Sequence, residues 1–300
     1  MLTTTSSRLL AFAATLAVLG GGAAAAGAAT DATPPFQDCM RVAALQAGAG
    51  EDMAGDPMEG ERMLEAVPGA DGRRAALAGL ALSQTTQTFP AGGSATLHFR
   101  IFDCNEEVVR DFEPEQGKLL HLIVVRSDLT GYQHLHPALG SDGTWSVEVE
   151  TPVAGRYRAI ADFVRDGRKY VLGTTLVAPG RAASAPLGAD AERASSDGFD
   201  VELERPAVLE AGEEAQLTFR ISRHGRPVTG LEPYLGAFGH LVALHAPDLA
   251  YSHVHPAGES RSDGAITFDA ELHEPGRYRL FVQFQIAGRV HTVAFTQTVS

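Results

Sequence analysis

The sequence predicts an all-β protein made of two tandem β-sandwich repeats, and three observations carry that reading. Apolar residues alternate with polar ones or form short runs of strand length, and no long helical periodicity competes. Turn signals recur at short intervals, in a chain with 32 Gly and 16 Pro. The chain also repeats itself with a period of about 120 residues. Its 300 residues exceed one ordinary sandwich and suit two domains of about 100–150 residues each.

The repeat is read residue by residue. Ala95-Thr96-Leu97-His98-Phe99-Arg100-Ile101 returns as Ala215-Gln216-Leu217-Thr218-Phe219-Arg220-Ile221. Phe112-Glu113-Pro114 returns as Leu231-Glu232-Pro233, and His121-Leu122-Ile123 as His240-Leu241-Val242. Gly155-Arg156-Tyr157-Arg158 returns as Gly276-Arg277-Tyr278-Arg279. Boundaries fall at 80–178 and 198–300, joined by a linker, 179–197, rich in Ala, Pro, Gly and Ser. Within the first repeat, strands are expected over 95–101, 119–125, 145–150, 156–164 and 169–177. The turns are Ala91-Gly92-Gly93, Ser141-Asp142-Gly143 and Asp166-Gly167. About seven strands in about 100 residues is sandwich spacing, and the Tyr of Gly-Arg-Tyr-Arg suits a sandwich corner.

The N-terminus is a separate matter. Arg8 is the only charge before Asp31, Leu9–Leu19 is apolar, and Ala26-Gly27-Ala28 and Gly27-Ala28-Ala29 offer small-residue cleavage sites. Residues 1–29 therefore read as a signal peptide, with a secreted, periplasmic or cell-envelope destination. The competing reading is an uncleaved anchor, for which the Gly/Ala-rich second half makes a poor hydrocarbon span. No other segment could cross a membrane, so no stable span is expected after cleavage. Residues 30–79 read as a flexible segment containing Met and Gly, with a short helix over Cys39–Gln46. Met53, Met58 and Met63 there could offer thioethers to Cu(I), or simply belong to an amphipathic or disordered stretch. Cys39 and Cys104 could pair in an oxidising compartment, remain separate thiols, or leave Cys104 as a soft ligand. A formal net charge of −13 without a basic patch excludes nucleic acid as a partner.

Chemistry concentrates in the histidines. Both repeats carry His-x12-His-x-His: His121, His134 and His136, then His240, His253 and His255. The two ends of His-x-His share a face of a strand. A turn within Ser127–Gly131 places His121 opposite His136 with His134 on the diagonal, at Cβ separations of about 4.5–5.5 and 7–8 Å. The second repeat gives the same geometry, with Leu244 facing Tyr251. A one-residue slip would send His121 to the other face. Three neutral imidazoles suit Cu(II), Zn(II) or Ni(II), and the affinity order puts copper first with zinc as the alternative. The bland reading is an aromatic cluster held by hydrogen bonds among Ile123, Val125, Val242 and Leu244. Tyr132 and Tyr251 line the site or merely pack. His98, His224, His245, His273 and His291 have no counterpart in the other repeat and default to surface polar residues.

Gly239-His240-Leu241-Val242-Ala243-Leu244 and Tyr251-Ser252-His253-Val254-His255-Pro256 resemble a motif of exported, uncharacterised bacterial proteins with YtkA-like or CopC-like heavy-metal-binding domains. Pro275-Gly276-Arg277-Tyr278-Arg279 is similar to the Pro-Gly-x-Tyr turn of CopC-like sandwiches. The resemblance covers both repeats and leaves 30–79 unaddressed. It implies an immunoglobulin-like or cupredoxin-like sandwich, extracytoplasmic metal handling, and the six histidines as ligands. The chain departs from CopC-like proteins in lacking an N-terminal His, and it lacks the Cys-His-Met set of a blue-copper centre.

The expected function is a secreted two-domain metal-binding protein with copper as cofactor. The alternative is a non-catalytic envelope or interaction protein with structural histidines and a protein partner. An enzyme is the least favoured reading, because no general base stands at a fixed offset from both triads and no nucleophile elbow, P-loop or dinucleotide fingerprint occurs.

Overall fold

The computed structural model describes residues 64–86, 88–257 and 264–300. The expected signal peptide, the helix over Cys39–Gln46, the three methionines and Cys39 lie outside them. Cys104 is disulfide-bonded.

Alternation makes the strands. Leu97, Phe99 and Ile101 are buried while Thr96 and His98 face outward, so this segment lies half-covered on a core. In chain order the first repeat contains β1 (Ala76–Leu77), β2 (Leu80–Gln84), β3 (Gly93–Phe102), β4 (His121–Arg126), β5 (Gln133–Leu135), β6 (Ala138–Leu139), β7 (Trp145–Thr151), β8 (Gly155–Arg165) and β9 (Arg168–Ala178). The second contains β10 (Arg193–Ser196), β11 (Phe199–Glu204), β12 (Glu214–Arg223), β13 (Arg226–Pro227), β14 (Gly239–His245), β15 (Tyr251–His253), β16 (His255–Pro256), β17 (Ala265–Glu271), β18 (Gly276–Ile286) and β19 (Arg289–Val299).

Each repeat folds into two sheets. In the first repeat the orders are β1-β2-β3-β7-β6 and β5-β4-β8-β9; in the second, β10-β11-β12-β17-β16 and β15-β14-β18-β19, with β13 pairing β12. This is immunoglobulin-like order, and both corner tyrosines behave as that fold requires. Tyr157 Oη donates to the Val153 carbonyl at 2.7 Å and Tyr278 Oη to that of Glu274 at 3.0 Å. Asp166-Gly167, at φ 51° and 66°, closes β8–β9 with both central residues left-handed, as a two-residue hairpin demands. Ala287-Gly288 does the same between β18 and β19, at φ 50° and 71°.

The two repeats stack through their four-stranded sheets, giving four layers. Leu122 and Val124 of β4 enter the core of the first sandwich with Phe99, Trp145 and Phe163. Ile123 and Val125 join Ile160, Val242, Leu244, Tyr251 and Phe281 in a separate core between the repeats. A strand buried on both faces reads as a continuous apolar run, which is why 122–125 shows no alternation. Tyr132 stacks on Phe281 with centroids 4.0 Å apart, worth about 0.5–1.5 kcal/mol beyond the area buried.

Two boundaries differ from the sequence reading. Residues 64–79, expected to be part of a flexible segment, belong to the first sandwich: Val67 and Leu77 are buried in its core. Val67 N–H donates to the Lys169 carbonyl at 2.9 Å and Gly173 N–H to that of Arg74 at 2.7 Å, covering the edge of β9. Residues 193–196, assigned to the linker, form β10, because Ala194 packs on the second core. Earlier linker residues cover the matching edge of β19, where Thr298 N–H donates to Asp190 Oδ2 at 2.9 Å. Among the described residues no helix is long and apolar enough to cross a membrane.

Candidate metal centre

β4 and β5 pair in the register the spacing predicts. Ile123 faces His134 and Leu122 faces Leu135, which sets His134 diagonal to His121. The ladder stops there, so His136 lies just beyond β5 as the chain crosses to β6 in the other sheet. The three imidazoles still meet. Ring centroids are 5.3 Å apart for His121–His134, 5.0 Å for His121–His136 and 4.9 Å for His134–His136. One ring nitrogen of each lies within 4.8 Å of the others.

In the second repeat Val242 faces His253 and Leu244 faces Tyr251, the expected register. His255 has left that sheet and pairs with Asp269 on β17. His240 is buried and sits across the seam from the first cluster, 6.0 Å from His134 between centroids. The second repeat therefore turns His240 toward the first repeat's cluster. His121, His134, His240, Asp162 and Tyr251 line a cavity of about 20 Å³ at the seam, room for one water-sized occupant.

The outer nitrogens of the cluster are fixed by acceptors. His121 Nε2–H donates to the Glu115 carbonyl at 3.1 Å, and His134 Nδ1–H to Gln283 Oε1 of the second repeat at 2.8 Å. A neutral imidazole carries one proton, so each inner nitrogen is then a lone pair. Those inner atoms, His121 Nδ1 and His134 Nε2, face each other at 3.0 Å. His136 Nε2 is buried and meets no hydrogen-bond partner among the described residues. The second repeat uses the same device, with His240 Nε2–H donating to the Tyr234 carbonyl at 2.7 Å. Burial pushes the His121 imidazolium pKa down. Burial first, then neighbouring His121, lowers His134 to about 3 and His136 to about 4. These rings are neutral at physiological pH, the form that ligates metals.

Beside the cluster lies a buried charge network that sequence reading missed. Lys169, 2% exposed, sits 2.8 Å from Glu115 and 3.4 Å from Asp162, itself 1% exposed. Tyr251 Oη donates to Asp162 Oδ2 at 2.8 Å, tying the repeats together. His245 and His291, expected at the surface, are buried: His245 bonds Asp248 at 2.7 Å and His291 bonds Asp197 at 3.0 Å. His98, His224 and His273 are exposed as expected.

The chain belongs to the family defined by a domain of unknown function (DUF8832), which matches it twice, at residues 75–180 and 194–300. No curated protein matches. Among solved structures, the Escherichia coli adhesin FdeC is 16% identical, with 74% of this chain and 64% of that one covered and a TM-score of 0.25. InvD of Yersinia pseudotuberculosis is 14% identical, with 74% and 58% covered and a TM-score of 0.25. Invasin, a bacterial integrin-binding protein, is 12% identical, with 72% and 39% covered and a TM-score of 0.22. The chain thus spans less than two thirds of each. Likeness of this degree adds nothing about function.

Proposed function

We propose that this is a non-catalytic, extracytoplasmic metal-binding protein whose first repeat holds one divalent ion, copper before zinc, on His121, His134 and His136. One observation carries the proposal: with both outer nitrogens donating, two lone pairs oppose each other at 3.0 Å, beside a third buried nitrogen with no hydrogen-bond partner among the described residues. Two facing acceptors need a cation between them. A proton is a poor candidate, because burial holds His134 near 3. Metal–nitrogen bonds of about 2.0–2.1 Å set tetrahedral ligands about 3.3 Å apart, near the 3.0 Å between His121 Nδ1 and His134 Nε2. Glu115 and Asp162 stand beside the cluster, and the seam cavity of about 20 Å³ suits a single small occupant. The signal peptide expected over residues 1–29 and the resemblance to YtkA-like and CopC-like proteins support handling outside the cytoplasm.

A second reading, that the histidines are structural in an interaction protein with an envelope partner, is favoured by Gln283. Its Nε2 donates to Thr292 Oγ1 at 3.0 Å. With the amide reversed, the Thr292 hydroxyl donates to Gln283, Gln283 to His134, His134 to His121 and His121 to Glu115, a closed chain with no ion.

Equilibrium dialysis of the purified chain without residues 1–29 against Cu(II) and Zn(II) separates the two. The chain should take up one more equivalent than His134→Ala/His136→Ala; equal uptake by both, with only the melting point lowered, sinks the metal reading.

A further inference from the structure

We infer that the second repeat completes the metal centre of the first: Gln283, on β18, is the positioning residue that presents His134 to the ion, and metal affinity depends on the docking of the repeats. The inference rests on the metal reading above. Gln283 is buried, faces Thr292 across the β18–β19 ladder, and spends its Nε2 on that hydroxyl at 3.0 Å. Only Oε1 is then left for His134 Nδ1, at 2.8 Å. An acceptor at Nδ1 fixes the proton there and turns the lone pair of Nε2 toward His121 and His136. Among the described residues of the first repeat none does this for His134, whereas His121 is fixed within its own repeat by Glu115. The ligands come from β4, β5 and the turn that follows, but the tautomer of one is written from the other sandwich.

The counterpart position shows that Gln283 is a choice and not a requirement of the fold. Asp162 occupies the same place on β8 that Gln283 occupies on β18, and both face the seam. Asp162 takes the hydroxyl of Tyr251 and sits by Lys169, so the repeat-one copy serves a charge network. The repeat-two copy is neutral and has Val290, not a lysine, beside it in sequence register. An amide oxygen there orients His134 without adding a second buried charge at the seam.

The test uses the full chain and two variants, Gln283→Leu and Gln283→Glu, titrated with Zn(II) in competition with a chelator. Loss of the acceptor in Gln283→Leu should weaken binding about 10–100-fold, while Gln283→Glu, which keeps an acceptor, should bind at least as tightly as wild type. Nitrogen-15 shifts of His134 in the metal-free chain give a readout that stability does not move. Wild type should show the Nδ1–H tautomer, and Gln283→Leu should lose it. Wild-type affinity in both variants, or an Nε2–H His134 in the wild type, overturns the inference while leaving metal binding intact. Failure of the wild-type chain to bind Zn(II) or Cu(II) removes the metal reading itself, and the inference with it.

Discussion

At the scale of the residue, the convergence of His121, His134 and His136 could be read from the sequence because it is local. A His-x-His in a strand shares one face, and a short hairpin brings a third ring alongside, so spacing alone located His121, His134 and His136. Their outer partners were not legible in the same way. Glu115 acts through its backbone carbonyl, which no side-chain pattern records, and Gln283 acts from a different sandwich. One signal existed. Asp162 and Gln283 occupy equivalent places in the two repeats, each a polar residue on the strand face that also carries Ile160 or Phe281. Neutral buried histidines also make stability depend on pH. Unfolded imidazoles protonate near 6.5, whereas folded His134 and His136 do so at about 3 and about 4. Between those values the unfolded chain holds more protons. Stability of the metal-free protein should therefore be greatest above about pH 6.5 and fall toward pH 4. The slope is up to about 1.4 kcal/mol per pH unit for His134 and less for His136, which water partly screens. Urea midpoints at pH 7.5, 6, 5 and 4 check this, and His134→Gln/His136→Gln should flatten the decline. A wild-type midpoint constant from pH 7.5 to 5 contradicts it.

At the scale of the element, the strands expected in the first repeat are observed with bounds within two residues of those read. The stretch expected over 145–150 is observed as Trp145–Thr151, and that over 169–177 as Arg168–Ala178. Residues 64–79 and 193–196 were missed because they cover or extend sheet edges through backbone hydrogen bonds, which leave little trace in side-chain alternation. Turn glycines separate conformational from steric cost. Gly167 has φ 66° and open space where a Cβ would stand, so Gly167→Ala should cost only the left-handed penalty, about 1–2 kcal/mol. Gly143, at φ 80°, would place a Cβ 2.3 Å from Val108 Cγ1 as well. Gly143→Ala should therefore lower the melting point clearly more than Gly167→Ala. Equal shifts would show that the loop carrying Val108 gives way freely.

At the scale of the whole molecule, the repeats act as one body because their inner sheets share a core. That arrangement was foreshadowed by an apolar run too continuous for a sandwich with one wet face, at 119–125, but such a run cannot say what covers it. The partner turned out to be the other repeat. Phe281→Ala removes the ring that stacks on Tyr132 and should cost about 3–5 kcal/mol, as other buried Phe truncations do. Because that loss falls on the shared core, calorimetry should show one transition for the wild type and a broadened or split one for the variant. A lowered but still single, symmetric transition would mean the sandwiches do not rely on this seam for cooperativity. The same seam holds His240, Gln283 and Tyr251 against the first repeat's cluster, so it joins the fold to the proposed chemistry.

Metal K-edge X-ray absorption on the chain loaded with one equivalent of Cu(II) or Zn(II) addresses the central claim most directly. A centre on His121, His134 and His136 predicts three imidazole nitrogens, at about 2.0–2.1 Å for zinc, with the imidazole scattering pattern lost in His134→Ala/His136→Ala. A first shell of oxygens, or a spectrum identical in the two proteins, would contradict it and leave these histidines as part of the seam alone.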